Sequence, residues 1–153
     1  MPVPLSELLD IQRAAVAMLR PLARANPATI MAALMPQAED YAAIFVGDAA
    51  EAAHKGYAQL WAAPPNGLAK QDQTDVIASA THAESLGGDT DFPGGYRKIV
   101  HLLEPGVVWL TFTFVKPGGS LGMTYDGLVW RDGRWAWFPK PWRILEGSGE
   151  LVS

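Results

Sequence analysis

The spacing of hydrophobic residues changes once along this chain, close to residue 70. Before that point apolar residues recur at every third or fourth position, which places them on one face of a helix. After it, short runs are either alternating or apolar throughout, which is typical of β-strands. The pattern therefore predicts an α+β protein, in which N-terminal helices pack on a curved antiparallel sheet of four to six strands.

Four helices are predicted in the first part of the chain. The first carries an apolar stripe and ends near residue 19 or 20, before Pro21. Asn26 and Pro27 have the side chains expected of an N-cap and a first helical residue. Asp48 and Glu51 have the spacing of a capping box. The second, third and fourth helices are expected to span residues 27–35, 37–45 and 49–62.

Three predicted strands follow, at residues 74–86, 97–103 and 107–115. The third is apolar on both faces, since Leu110 and Phe112 lie on one side and Trp109 on the other. A strand of this kind is buried from both sides. We therefore expect residues 107–115 to occupy the centre of the sheet.

A hairpin is predicted to close the fold. Asp132 and Gly133 tolerate the positive φ angles of a two-residue type I′ turn. This turn would pair Leu128 with Trp137, Trp130 with Trp135, and Arg131 with Arg134. Three tryptophans would then share one face. Two opposed arginines destabilise a sheet by up to about 1 kcal/mol, so the tip of the hairpin is expected to be solvated.

Composition narrows the class of protein. A chain of 153 residues is the usual size of one domain, here residues 1–153, and 49% of its residues are hydrophobic. The net charge of −4, without a basic stripe, disfavours nucleic acid as a partner. No apolar run is long enough for a transmembrane helix, so no membrane partner is expected. The absence of cysteine and of a signal-peptide pattern favours a cytoplasmic location.

The closing segment reads Tyr125-Asp-Gly-Leu-Val-Trp-Arg-Asp-Gly-Arg-Trp-Ala-Trp-Phe138. Together with the order of the elements, it resembles the last strands of NTF2-like, or cystatin-like, domains. The resemblance implies a cone-shaped cavity in a superfamily that includes dehydratases, isomerases, hydrolases and non-catalytic binders. A strand pair commonly interrupts the helices of that fold, whereas no strand is predicted here before residue 74. The superfamily's catalytic residues do not align with this chain, so no mechanism is carried over.

Histidine is the first candidate for chemistry. His101 is expected on the same face of a strand as Ile99 and Leu103, either as a buried, hydrogen-bonded side chain or as a proton-transfer residue. His82 and Glu84 would share one strand face, as a base with its partner, as two metal ligands or as a solvated pair. No histidine pair has the spacing of a metal-binding helix, and no metal is predicted.

A carboxylate in the closing hairpin is the second candidate. Asp126 would lie beside Leu128 and Trp130, where desolvation would raise its pKa and suit it to act as a general base. The alternative is a β-bulge at Asp126 and Gly127 that leaves the acid in water. Tyr125 is the neighbouring polar group to test with it.

Two prolines then hold the chain extended, at Pro139 and Pro141. Lys140, Trp142 and Arg143 could form an anion-binding patch around them. Alternatively, the prolines block an exposed sheet edge and Trp142 packs on the core.

These features predict a small-molecule-binding domain with an aromatic pocket for an apolar or anionic ligand, and without a cofactor. An enzymatic form would catalyse proton transfer of the isomerase or dehydratase type, with His101, Asp126 and Tyr125 as candidates. The alternative is a non-catalytic interaction module that forms a homodimer. The expected ligand-binding residues are Trp109, Trp130, Trp135, Trp137, Lys140, Trp142 and Arg143.

Overall fold

Helices occupy the first part of the chain and strands follow, as the apolar pattern predicts. The computed structural model describes residues 5–65, 67–88 and 92–146. Within these ranges the α-helices are α1 (Leu5–Leu19), α2 (Pro27–Leu34), α3 (Ala38–Ile44), α4 (Asp48–Trp61) and α5 (Pro141–Glu146). The strands are β1 (Asp75–His82), β2 (Val108–Val115), β3 (Thr124–Arg131) and β4 (Arg134–Trp137). None of the helices in the described ranges is long and apolar enough to cross a membrane.

The strands form one open antiparallel sheet in the order β1-β2-β3-β4. Every residue of β2 is buried, because protein covers both faces of this interior strand. The predicted α+β class and the central position of residues 107–115 are confirmed.

The closing hairpin has the predicted register. Trp130 pairs with Trp135 across β3 and β4. Asp132 and Gly133 have φ angles of 49° and 79°, and a type I′ turn requires positive φ at both central positions. Local sequence therefore determined both the turn and the pairing.

The hairpin tip is solvated in part, as expected, since Asp132 and Gly133 are exposed and the side chains of Arg131 and Arg134 are 40% and 37% exposed. Both arginines nevertheless have a carboxylate nearby. A guanidinium nitrogen of Arg134 lies 2.8 Å from the carboxylate of Asp40, which is buried in α3. Arg131 lies 3.3 Å from the exposed Asp132. Each of the opposed arginines thus has its own carboxylate, and Arg134 ties the hairpin to α3.

Both helix starts are confirmed to within a residue, but only one of the two predicted N-caps is. The side chain of Asn26 accepts a hydrogen bond from the backbone N–H of Thr29, at 2.9 Å, so Asn26 caps α2. Gly47, with φ of 51°, is the N-cap residue of α4, and Asp48 is the first residue inside the helix. The predicted capping box of Asp48 and Glu51 is therefore wrong, since Asp48 lies one position too late.

The predicted strand at residues 97–103 is wrong. Two 3₁₀ turns, Gly94–Lys98 and Val100–Leu102, occupy this segment. Its buried residues are Tyr96, Ile99 and Leu103, spaced by three and four as in a helix rather than by two as in a strand. The strand predicted at 74–86 is also too long, because β1 ends at His82 and a 3₁₀ turn follows.

A β-bulge interrupts β3 at Asp126 and Gly127. The register between β2 and β3 shifts by one residue there, and Gly127 has φ of 87°. An extra residue reverses the side to which the preceding side chains point. The expected position of Asp126 beside Leu128 and Trp130 is therefore wrong, and its side chain contacts Tyr96 instead.

The sheet separates two clusters of aromatic rings. The first cluster lies on the side of Trp109 and contains Tyr41, Phe45, Tyr57, Phe92, Tyr96, Trp109, Phe138 and Trp142. The second lies on the side of Phe112 and contains Trp61, Phe112, Phe114, Tyr125 and Trp137. Helix α4 contacts both, because Tyr57 packs on Phe138 and Trp61 packs on Trp137. It therefore lies across the end of β4.

Helix α1 runs along the edge strand β1. Arg20 pairs with Asp75 at one end of the strand, at 2.9 Å. Towards the other end, the side chain of Gln12 accepts a hydrogen bond from the backbone N–H of Ala80, at 3.1 Å. A free strand edge invites pairing with another chain, and α1 covers this one.

Two glycines allow α5 to lie close to its neighbours. A Cβ atom on Gly56 of α4 would collide with Ile144, and one on Gly95 would collide with the ring of Trp142. Glycine inside a helix costs about 1 kcal/mol relative to alanine. Here the cost is offset by the close packing of Ile144.

Two left-handed glycines provide a matched test of this fold. Gly127→Ala places a Cβ against the carbonyl of Phe138, whereas Gly133→Ala faces open space. Both changes carry the strain of a positive φ, about 1–2 kcal/mol. We expect Gly127→Ala to lower the free energy of unfolding by several kcal/mol more than Gly133→Ala in urea titrations. Equal losses would contradict the crowding at the bulge.

Candidate functional site

The side chain of Asp126 is buried, contrary to the alternative in which it lies in water. Its Oδ2 atom accepts hydrogen bonds from the Tyr96 hydroxyl, at 2.6 Å, and from the backbone N–H of Lys140, at 3.0 Å. The Tyr57 hydroxyl donates to the carbonyl of Pro139, at 2.9 Å. The carboxylate of Asp126 thus joins the 3₁₀ turn that contains Tyr96 to the segment after β4. Tyr57 adds helix α4 to this cluster through Pro139.

Burial controls the protonation of this cluster. It raises the pKa of Asp126, and the hydrogen bonds from Tyr96 and Lys140 oppose that rise. Burial, followed by the charge of Asp126, raises the pKa of Tyr57 and of Tyr96 well above the ordinary value. The tyrosines therefore remain neutral donors. The cluster ties distant segments together, and its geometry is that of a structural hydrogen-bond network.

The other two candidates for proton transfer lie elsewhere. The hydroxyl of Tyr125 donates to the backbone carbonyl of Leu68, at 2.7 Å, in the second aromatic cluster. His101 lies exposed in the 3₁₀ turn Val100–Leu102, so its predicted place inside the sheet is wrong. The structure does not bring His101, Asp126 and Tyr125 together.

The predicted ligand-binding tryptophans are divided between separate environments. Trp109 is fully buried in the first cluster. Trp137 is buried in the second, and its indole N–H donates to the carbonyl of Asp126, at 2.8 Å. Trp130 and Trp135 pack against each other, with centroids 4.5 Å apart and their planes tilted by 51°, and are half-buried near the hairpin tip. They share a face with Trp137, as predicted, but the set does not surround one space.

The predicted anion-binding patch is divided as well. Trp142 packs edge-on against Tyr96, with ring centroids 5.1 Å apart. Lys140 and Arg143 are exposed, and the backbone N–H of Arg143 bonds to the carbonyl of Lys140. The positive φ of Lys140, 48°, turns the chain from β4 into α5. The predicted extended path is wrong at Pro141, which is the first residue of helix α5. Trp142 packs on the core, as the alternative expected.

A groove between α2, α3 and α4 combines apolar walls with polar groups. Its volume is about 270 Å³, which suits a ligand of one or two rings. One side is made of flexible thioether chains and the other of aromatic rings. The lining residues are Met31, Met35, Pro36, Tyr41, His54, Ala58, Trp61 and Ala62.

Trp61 gives the groove an unused hydrogen-bond donor. The side chain is 5% exposed. Its indole nitrogen is buried, and within the part of the chain that the structure describes nothing accepts its hydrogen bond. A buried donor without an acceptor costs about 1–3 kcal/mol. A ligand that supplies an acceptor would recover that free energy.

Tyr41 and His54 form another part of the groove lining. Their rings are stacked, with centroids 4.5 Å apart and an interplanar angle of 13°. Burial, followed by the charge of Asp40, raises the pKa of Tyr41 to about 12, so the hydroxyl is a neutral donor. Asp40 is itself held by Arg134 and by the backbone N–H of Gln37. This wall is therefore fixed in place.

Sequence reasoning missed this groove, although one signal for it was present. His54, Ala58, Trp61 and Ala62 follow helical spacing on α4 and share one face. That face can be recognised from the sequence. Its position opposite Tyr41 depends on how α3 and α4 pack, which the sequence pattern does not specify.

A second groove, of about 440 Å³, lies between α1 and β1. Its charged groups already have partners, since Arg20 pairs with Asp75 and Arg13 with Asp10. This groove is larger, but none of its charged groups is left for a ligand to bind. The groove that Trp61 lines has an unpaired hydrogen-bond donor nearby. The groove between α2, α3 and α4 is the better candidate site.

No family model, curated protein or solved structure matches this chain. Among the described residues, no group of three or more histidine, cysteine, aspartate or glutamate side chains could hold a metal ion. The chemistry of the site is therefore argued from its geometry alone.

The raised pKa of Asp126 predicts a pH-dependent stability. Because the folded-state pKa exceeds the unfolded value near 3.8, this group's stabilisation is complete below the unfolded pKa and is lost as pH rises through the folded pKa. Asp126→Asn keeps an acceptor for Tyr96 and Lys140 but cannot ionise. We expect it to remove this loss and to unfold at neutral pH at an equal or higher urea concentration than the wild type.

Urea midpoints measured from about pH 3 to about pH 8 test this expectation. Tyr96→Phe is the contrasting variant, because it removes a donor and leaves the charge. It should destabilise the protein by about 1–3 kcal/mol at neutral pH. A wild-type pH profile that Asp126→Asn leaves unchanged would contradict the argument.

Proposed function

We propose that this protein binds a small, largely apolar aromatic molecule in the groove between α2, α3 and α4. The observation that carries the proposal is that Trp61 lines the groove and that its buried indole N–H has no acceptor among the described residues. Ligand pockets are usually apolar with a few polar groups that fix orientation. Trp61 and Tyr41 supply those polar groups here.

Binding without catalysis is favoured over proton transfer. The groove is lined by His54 and Tyr41, and not by Asp126. Asp126 has a raised pKa, as a general base requires. However, its Oδ2 atom is occupied by Tyr96 and Lys140, so a substrate would have to displace a structural contact.

The relationship to NTF2-like domains stays a prediction. The order of helices and antiparallel strands supports it. Its departure from that fold also persists, since no strand of the described chain precedes Asp75. A cytoplasmic location likewise stays a prediction, which rests on the absence of cysteine.

Filling the groove should abolish binding. Ala58 lines it, whereas the next residue, Gln59, is exposed on the same helix and does not. Ala58→Trp should weaken binding of acetophenone and α-methylstyrene by at least about tenfold, because an indole occupies their space. Gln59→Trp should leave both affinities unchanged. Ligand-observed NMR measures them, and the proposal fails if the wild type binds neither compound or if the two variants behave alike.

Homodimerisation is a second candidate, favoured by one exposed apolar patch. Leu121 and Met123 are 87% and 65% exposed, and Ile77 is 46% exposed. Gly122, between the first two, lies against Thr113, whose neighbour on β1 is Ile77. Exposed apolar groups that lie together often mark an interface.

Light scattering after size-exclusion chromatography tests the second candidate. The wild type should elute as a dimer, and Leu121→Glu should convert it to a monomer by placing a charge in the interface. Leu9→Glu is the matched control, because Leu9 is an exposed leucine of α1 outside the patch. A monomeric wild type would rule out the dimer.

A further inference from the structure

We propose, on the basis of the function above, that the ligand is an uncharged aromatic molecule with a hydrogen-bond acceptor such as a carbonyl, and that this acceptor binds the indole N–H of Trp61. Trp61 is then the residue that determines specificity.

The walls favour an aromatic ring. Met31 and Met35 contribute thioether chains, and Tyr41 contributes a buried ring. Sulfur atoms make favourable contacts at the edges of aromatic rings. Rings also pack well edge-on against other rings. An extended aliphatic chain would gain neither interaction.

The donor demands an acceptor on the ligand. The indole nitrogen of Trp61 can donate but cannot accept. It has no acceptor within the described chain. The indole N–H of Trp109 has none there either, but Trp109 does not line the groove. The indole of Trp137, the ring that packs against Trp61, already donates to the backbone of Asp126. A ligand without an acceptor would leave the Trp61 donor unpaired. The indole N–H of Trp61 therefore distinguishes ligands that carry an acceptor from ligands that do not.

Access to the donor requires a wall to move. The indole nitrogen of Trp61 is buried in this structure. Met35, which is 43% exposed, and Met31, which is half-buried, line the same groove. Methionine has three rotatable bonds and adapts readily to a new neighbour. These methionines are the members of the lining that can move most readily to make room for the acceptor.

The surrounding charges disfavour an ionic ligand. Asp40, next to Tyr41, is buried and paired with Arg134. A charged group in the apolar part of the groove would lose much of its hydration, and the only side chain of the lining that could carry a positive charge is the exposed His54. A neutral acceptor avoids that loss, because its hydration is weaker.

Three compounds of similar size test separately whether the ligand needs an acceptor and whether it must be uncharged. Acetophenone carries a carbonyl, α-methylstyrene replaces the carbonyl oxygen with a CH₂ group, and benzoate replaces the acetyl group with a carboxylate. Their affinities are measured by NMR with protein labelled on the tryptophan indoles, which give six signals. Trp61→Phe assigns the signal of Trp61 by its disappearance.

We expect acetophenone to bind about tenfold more tightly than α-methylstyrene and more tightly than benzoate. It should also shift the indole N–H proton of Trp61 downfield. Trp61→Phe should weaken acetophenone about tenfold more than it weakens α-methylstyrene. The acceptor-free compound reports the loss that comes from the smaller side chain in the groove lining, and whether the variant still folds.

The outcomes distinguish the two proposals. If neither acetophenone nor α-methylstyrene binds, the proposed function fails and this inference fails with it. If both bind equally, or if the Trp61 signal does not move, the groove is a binding site but the acceptor inference is wrong. Tighter binding of benzoate would overturn the assignment of an uncharged ligand.

Discussion

The need to satisfy one buried carboxylate determines how the parts of this protein meet. Asp126 lies inside an aromatic cluster, where an unpaired acid would be strongly destabilising. Its two donors are Tyr96, in a 3₁₀ turn, and the backbone N–H of Lys140, beyond β4. Both must be in place for the acid to stay buried. The position of α5 and the path of the segment 92–103 follow from this requirement.

The β-bulge makes that arrangement possible. Gly127 adopts a positive φ next to the carbonyl of Phe138, where a side chain would collide. The extra residue turns Asp126 towards Tyr96 and away from the second aromatic cluster. Helix α4 then bridges both clusters, through Tyr57 on one side and Trp61 on the other. A single backbone irregularity thereby decides which residues form the core on each face.

The candidate binding groove is built on the outer side of this rigid frame. Stacked rings and the ion pair of Asp40 with Arg134 hold one wall, whereas flexible methionines form the other. Rigid aromatic groups can orient a ligand, and adaptable thioether chains can accommodate its shape. In the proposed function, the buried donor of Trp61 would add the selective contact.

The sequence by itself determined the α+β order, the central strand, helix α4 and the closing hairpin, because each depends on neighbours along the chain: apolar spacing, a two-residue turn, or a cap such as Asn26. It misplaced residues 97–103, where the alternation of Ile99, His101 and Leu103 concealed helical turns anchored by Tyr96. It also placed Asp126 on the wrong face, since one inserted residue reverses the alternation of side chains. Only tertiary packing decided that Trp61 would line a groove opposite Tyr41, because the two residues belong to different helices and their proximity arises from the core that holds those helices together.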